Sequence, residues 1–188
     1  MRVLAIAGSL RAGSHNGRLL RAAAALLPPD AELVQFDGLK AIPPFDEDDE
    51  GAPGGAVDRW RAELEQADAL LFATPEYNHS LPGTLKNAID WASRPSTAAA
   101  LRNKPAAVIG ASTGMFGAVW AQAELRRSLA AAGARVIDRE LPVPNADEAF
   151  AADGSLAEHE HALALGDILA ELLAEARIRS APTLATAA

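Results

Sequence analysis

Between Ile6 and Leu19 the chain reads Ala7-Gly8-Ser9-Leu10-Arg11-Ala12-Gly13-Ser14-His15-Asn16-Gly17-Arg18, small and polar residues leading straight into a helical pattern. That combination suits an anion. Glycines let a backbone approach closely, a helix N-terminus presents unpaired N–H groups with partial positive charge, and serine and asparagine side chains add donors. Arg11 adds a permanent charge whose fork geometry matches phosphate oxygens. The glycines at 8, 13 and 17 do not fit G-x-G-x-x-G, so the dinucleotide fingerprint is absent. Gly8 and Gly13 have the outer spacing of a Walker A loop, but Ser14-His15 stands where Lys-Ser/Thr would be. A triphosphate with its magnesium would lose its main anchor there, whereas a hydroxyl-rich cradle of this length suits a terminal monophosphate. The competing reading is an ordinary strand-to-helix turn with Ser14 or Asn16 as N-cap. Ser9 as a hydrolase nucleophile is disfavoured because G-x-S-x-G is missing.

Two more polar loops follow apolar runs: Thr74-Pro75-Glu76-Tyr77-Asn78-His79-Ser80-Leu81-Pro82-Gly83 and Ser112-Thr113-Gly114-Met115-Phe116-Gly117. The elements that must carry all three loops are short apolar strands alternating with helical stretches, the pattern of a parallel α/β sheet. Val3 to Ala7, Glu32 to Phe36, Ala69 to Ala73, Ala106 to Ala111 and Arg135 to Asp138 read as strands. The helices carry Leu19, Leu20, Ala23, Leu26 and Leu27, stopped by Pro28-Pro29; Val57, Trp60, Leu64 and Ala67; Leu85, Ala88, Ile89 and Ala92, with Pro82 near the first turn; Gly117 to Ala132, ended by Gly133; and Leu165, Ile168, Leu169, Leu172, Leu173 and Ala176. Residues 1–176 thus read as one domain, and 177–188, without apolar period, as a disordered tail. The expected fold is a doubly wound three-layer sandwich with a five-stranded parallel sheet, order 2-1-3-4-5. Ligands of such sheets bind at the carboxyl ends of the strands, which is where the three loops lie.

The set Gly8-Ser9-Leu10-Arg11, Ser14, Asn16, Pro75-Glu76-Tyr77-Asn78 and Leu85-Lys86-Asn87-Ala88-Ile89-Asp90-Trp91 resembles the NADPH-dependent FMN reductase family, flavodoxin-like flavin, quinone, chromate and azo-dye reductases. The resemblance spans about residues 2 to 176, with three separate loops matching in order. It implies that Ser9, Arg11, Ser14 and Asn16 hold the FMN phosphate. It also implies that Pro75, Glu76, Tyr77 and Asn78 line the isoalloxazine, largely through backbone groups, and that Ser112, Thr113 and Gly114 sit at its pyrimidine end. Where many relatives carry Gly-Gly at the start of the fourth helix, this chain has Gly117-Ala118. Micromolar FMN binding corresponds to about 8 kcal/mol, and a helix terminus supplies only about 0.3–2, so the ring loops must share the work.

Composition narrows the rest. The 188 residues include 17 Lys+Arg, 25 Asp+Glu and no cysteine, for a net charge of −8. Thiolate chemistry is excluded, and the acidic balance disfavours nucleic acid and a polybasic membrane surface. The charge is uneven: +2 over residues 1–36, −6 over 37–66 and −4 over 67–188. No apolar run approaches the ~20 residues of a membrane span, and Val3 to Ala7 is shorter than the about 7–15 residues of a signal-peptide core. A cytoplasmic protein is expected. Asp46-Glu47-Asp48-Asp49-Glu50-Gly51 mimics the start of a calcium loop, but Val57 stands where the bidentate glutamate belongs and Pro53 interrupts it; a solvated or subunit-facing acidic loop is the better reading. His15 and His79 lie in the proposed cofactor loops and read as solvated. His159 and His161 are two apart on a helix and point to different faces. No metal site is expected.

The expected function is hydride transfer from NADPH or NADH to flavin N5 of bound FMN, then two-electron reduction of a quinone, flavin, azo compound or metal oxyanion. No side-chain acid, base or nucleophile is assigned, since the cofactor carries the chemistry. The alternative is a flavodoxin-type FMN carrier without nicotinamide activity. By resemblance the protein is a homodimer or homotetramer, with Phe45, Trp91, Phe116 and Trp120 as candidates for core or interface.

Overall fold

The computed structural model describes residues 1–180. Strands β1 (Arg2–Ala7), β2 (Glu32–Phe36), β3 (Ala69–Thr74), β4 (Pro105–Ala111) and β5 (Arg135–Val136) form one parallel sheet in the order β2-β1-β3-β4-β5. The helices are α1 (His15–Leu26), α2 (Gly55–Gln66), α3 (Gly83–Ala92), α4 (Val119–Ala131) and α5 (His159–Ser180).

Every residue of β3 and β4 is buried, because both sheet faces are covered and their alternation feeds two cores. Val3, Ala5, Leu71 and Ile109 pack with Leu19 and Leu20 of α1 and Leu165, Ile168, Leu169 and Leu172 of α5. Their neighbours Leu4, Ile6, Leu70, Phe72 and Val108 pack on the other face with Trp60 and Leu64 of α2, Leu85 and Ile89 of α3, and Leu125 and Leu129 of α4. The three layers and the strand order are those expected.

Three details differ. The fifth strand does not run to Asp138: it stops at Val136, and a sixth strand, β6 (Pro142–Val143), pairs with Gly110 and Ala111 farther along the same edge of β4. The intervening residues leave the sheet, so two two-residue pieces do the work of one strand. Helix α4 begins at Val119 rather than Gly117, since Gly117 and Ala118 are both left-handed, at φ 56 and 64. A Cβ on Gly117 would lie 2.6 Å from the Pro142 carbonyl carbon; this glycine is a close backbone contact, but with the chain's own β6. Finally, α5 continues past Ala176 to Ser180, with Arg177 Nη2 3.1 Å from Asp30 Oδ2. Residues 177–180 of the expected disordered tail are therefore helical, and the remainder of that tail lies outside the described residues.

The aromatic candidates divide. Trp91 is fully buried and meets the partly buried Phe45 edge-on at 4.9 Å between ring centroids, whereas Phe116 and Trp120 are exposed. The acidic loop turns through a short 3-10 segment, Glu47–Asp49, started by Asp46, whose carboxylate accepts from the Asp48 N–H.

Candidate functional site

The carboxyl ends of β1, β3 and β4 converge as expected, and the strand order reverses between β1 and β3. Such reversal points open a crevice for ligands in doubly wound sheets. There Ser9, Arg11, Ser14, His15 and Asn16 face Pro75, Glu76 and Tyr77 on one side and Ser112 and Thr113 on the other, around a cavity of about 180 Å³. Gly8 allows this approach: its N–H donates to the Ala73 carbonyl at 2.8 Å, and a Cβ would lie 3.0 Å from Leu85 Cδ2 and 3.2 Å from Pro75 Cδ.

Ser14 is the N-cap of α1, its hydroxyl accepting from the Gly17 N–H at 3.4 Å. The N–H groups of His15 and Asn16, the first two residues of the helix, have no acceptor among the described residues. The same holds for the N–H groups of the five loop residues from Ser9 to Gly13 and for the Ser9 and Arg11 side chains. A run of free donors at a helix N-terminus is what an oxyanion needs. His15 is not solvated: its side chain is 15% exposed, Nε2 lies 3.2 Å from Asp147 Oδ1, and Nδ1 is buried without a partner. That buried orphan in a wall of the cleft is itself a reason to expect a polar ligand. FMN, whose phosphate brings acceptor oxygens, fits this donor set.

Asn16 has another task. Its Nδ2 donates to the Ala111 carbonyl at 2.9 Å, and its Oδ1 accepts from the Ala111 N–H at 3.0 Å. Beyond Thr74, β3 no longer pairs with β4, and the Asn16 amide completes the β4 ladder on that edge. The side chain thus ties the β1 loop to the β4 loop, while its second amide hydrogen and the Asn16 backbone N–H remain as donors for a phosphate.

Glu76 also acts outside its own loop. Its Oε2 accepts from the N–H groups of Trp120 and Ala121, both at 3.1 Å, and so caps α4, whose own N-cap residue, Ala118, has no capping side chain. The next residues form a tight turn closed by mutual hydrogen bonds between Tyr77 and Ser80, with Asn78 and His79 left-handed at φ 54 and 60. Two such residues make this turn type I′. It leaves Tyr77 half-exposed and His79 edge-on to Trp120 at 4.9 Å. Ser112 accepts through its hydroxyl from the Gly114 N–H at 3.2 Å; Ser112 and Thr113 line the cleft, and Gly114 is not among its lining residues.

Sequence reasoning missed Gln122, fully buried in α4. Its Nε2 donates to the Gly117 carbonyl and its Oε1 accepts from the Leu141 N–H, both at 3.1 Å, fixing the β4 loop against the entry to β6. A polar residue on an apolar helix face was the available signal.

Residues 1–148 match the protein family described as NADPH-dependent FMN reductase. A NAD(P)H-dependent FMN reductase of Pseudomonas aeruginosa is 46% identical over 159 residues, covering 83% of this chain and 84% of its own length. A quinone reductase of Pseudomonas putida is 42% identical over 128 residues, covering 68% of each chain. Among solved structures, the flavoenzyme NAD(P)H:(acceptor) oxidoreductase FerB of Paracoccus denitrificans matches with a TM-score of 0.82 at 34% identity, over 94% of this chain and 97% of its own.

Proposed function

The chain belongs to the NADPH-dependent FMN reductase family, and from that premise we propose that it is an NAD(P)H-dependent flavoenzyme that reduces small two-electron acceptors, quinones foremost. The observation that carries this reading is the uninterrupted set of free donors from Ser9 to Gly13 and at the start of α1, set in one cleft with the loops after β3 and β4. Family membership favours this over a flavodoxin-type electron carrier.

When bound, FMN would supply the two-electron redox chemistry that links NAD(P)H to the acceptor. The residues of this chain bind and orient. The Ser9 and Ser14 hydroxyls, the Arg11 guanidinium and the backbone N–H groups of His15 and Asn16 hold the phosphate. Pro75, Glu76, Tyr77 and Asn78 would offer the isoalloxazine their backbone groups, and Ser112, Thr113 and Gly114 would sit at its pyrimidine end. Glu76 and Asn16 hold those loops at fixed spacing through α4 and β4, which keeps the cost of ordering them out of the binding step.

The cleft, at about 180 Å³, is below the roughly 300–1,000 Å³ common for cofactor-sized ligands. Tyr77, which lines it, is exposed, as are Met115, Phe116 and Trp120 in the loop after β4 and the start of α4. A second copy of the chain packed there would supply the missing wall, so the working form is a homo-oligomer. The deciding experiment mixes FMN-loaded protein anaerobically with NADPH or NADH and follows the visible flavin absorption. Rapid bleaching, reversed by a quinone, is expected; FMN that stays oxidised with both nucleotides would return the carrier reading.

A further inference from the structure

Farther along α1, between that helix and the chain leading into α5, lies a cavity of about 340 Å³ that shares no residue with the flavin cleft. Its floor is aliphatic, made by Ala22, Ala25 and Leu26 of α1 with Leu156 and Ala162. Its outer wall is a tight hairpin beyond residues 1–148, the part matched to the family. In this hairpin Phe150 bridges Leu156, and the Ala151 N–H donates to the Ser155 carbonyl at 2.9 Å. Gly154, at φ 87, makes the turn, and Asp153 Oδ1 closes it by accepting from the Ser155 N–H at 3.0 Å and the Ser155 hydroxyl at 2.7 Å. The wall is thus held by its own hydrogen bonds before any ligand arrives.

The polar side of the cavity carries Arg18 and Arg21, three residues apart and so neighbours on the helix surface. The Arg18 guanidinium carbon lies 4.4 Å from the centroid of the Phe150 ring, a stack that fixes the guanidinium and leaves its N–H edges for other partners. Among the described residues those edges meet no carboxylate and no hydrogen-bond acceptor, and the same is true of Arg21. Arg2, Arg61, Arg94, Arg126 and Arg135, half-buried like Arg18, each have a carboxylate or carbonyl partner. Arg18 is therefore an exception that a ligand would bring into line. The third charge of the lining is Asp153, whose carboxyl the Ser155 hydroxyl holds below its ordinary value, so it stays ionised. Two guanidinium groups against one carboxylate leave the lining at +1. A single negative charge neutralises that excess, and a dianion overshoots it.

A carboxylate carries its one charge on two coplanar oxygens, which match the fork of a guanidinium, and an alkyl chain suits the aliphatic floor. The volume lies within the about 300–1,000 Å³ usual for small-molecule sites. We propose that this cavity binds a medium-chain aliphatic carboxylate, its head on Arg18 with Arg21 beside it and its chain along Ala22, Ala25 and Leu26 against Leu156. The site stands apart from the flavin cleft and does not rest on the reductase reading above.

The test is calorimetric titration of the FMN-loaded protein with octanoate, hexanoate and 1-octanol. Octanoate is expected to bind saturably at a single site. Hexanoate is expected to be weaker by about tenfold, for the loss of two buried methylenes, and 1-octanol by about tenfold or more, for the loss of the charge-assisted hydrogen bonds. Arg18→Gln is expected to bring octanoate down to the level of 1-octanol. Ala25→Phe, which fills the floor from an exposed helix position, is expected to abolish binding of both. Each variant should keep the visible spectrum of bound FMN, which shows that it is folded and that the flavin cleft is intact. Absence of saturable octanoate binding, equal affinity for octanoate and 1-octanol, or binding that survives both substitutions overturns the proposal. So does release of FMN by octanoate, which places the carboxylate in the phosphate cradle instead.

Discussion

Replacing Asn16 by alanine separates a residue that grips the ligand from one that holds the loops which do. Asn16 is 2% exposed, and its amide satisfies both the N–H and the C=O of Ala111, itself 2% exposed. In Asn16→Ala both backbone groups lose their partner. A buried polar group left unsatisfied costs about 1–3 kcal/mol, so the pair costs about 2–6, with the lower part of that range expected because the adjoining cleft can admit water. Taking about 2–4 kcal/mol, and about 2–4 °C per kcal/mol for a chain of this size, the apoprotein should melt roughly 5–15 °C lower. The assay is thermal unfolding of flavin-free protein, paired with fluorescence titrations of FMN and riboflavin. Because Asn16 joins the β1 loop to the β4 loop, both flavins should weaken together. Unchanged melting with a loss confined to FMN would refute this and make the Asn16 side chain a phosphate ligand after all.

The other predictions concern single contacts. Arg11→Ala should weaken FMN by about 1–2 kcal/mol, roughly 5–30-fold, while riboflavin is little affected; equal losses in the same fluorescence titration would show that Arg11 does not touch phosphate. Ala118→Gly should raise stability in urea unfolding by about 0.5–1 kcal/mol, since a left-handed alanine costs about 1–2 kcal/mol and glycine returns about 0.4–1 through the unfolded chain. Glu76→Ala, which uncaps α4, should lower stability by about 0.5–2 kcal/mol, with Glu76→Gln losing less; unfolding curves of the two variants check the order. The Asp30 carboxyl is held below its ordinary value of 3.8, first by the hydrogen bond from Arg177 and also by that guanidinium's charge. Its lowered value means a contribution to stability that is present above the ordinary pKa and lost as the pH falls through the depressed one. Arg177→Ala should move the Asp30 titration, followed by carboxyl NMR, back up toward 3.8.

The strands of the sheet were legible because fully buried ones such as Ala69–Thr74 read as unbroken apolar runs bounded by proline and polar residues, whereas their order is carried by no single run. The positions of the three loops followed from strand polarity alone. What stayed hidden were the side chains that act across long sequence separations. Asn16 finds its partner 95 residues away and Glu76 finds its own 44 and 45 residues away, and no local spacing announces either. His15 was legible as a residue type but not as a buried one, because Asp147, which meets its ring, comes from a loop beyond β6. The break between β5 and β6 escaped for a related reason: two residues are too few to give an alternating pattern.

That break bears on how copies of the chain can meet. An open sheet edge is a template for another strand, and one long, flat edge invites uncontrolled growth. Here the edge beyond β4 is divided into two two-residue pieces separated by a detour. At the opposite edge, β2 is five residues long and leaves Glu32 and Gln35 exposed. The β5–β6 edge offers an incoming strand no continuous ladder, while β2 is guarded by its short length and by the polar Glu32 and Gln35. Both features disfavour growth of the sheet by strand addition, and with it extension into fibres.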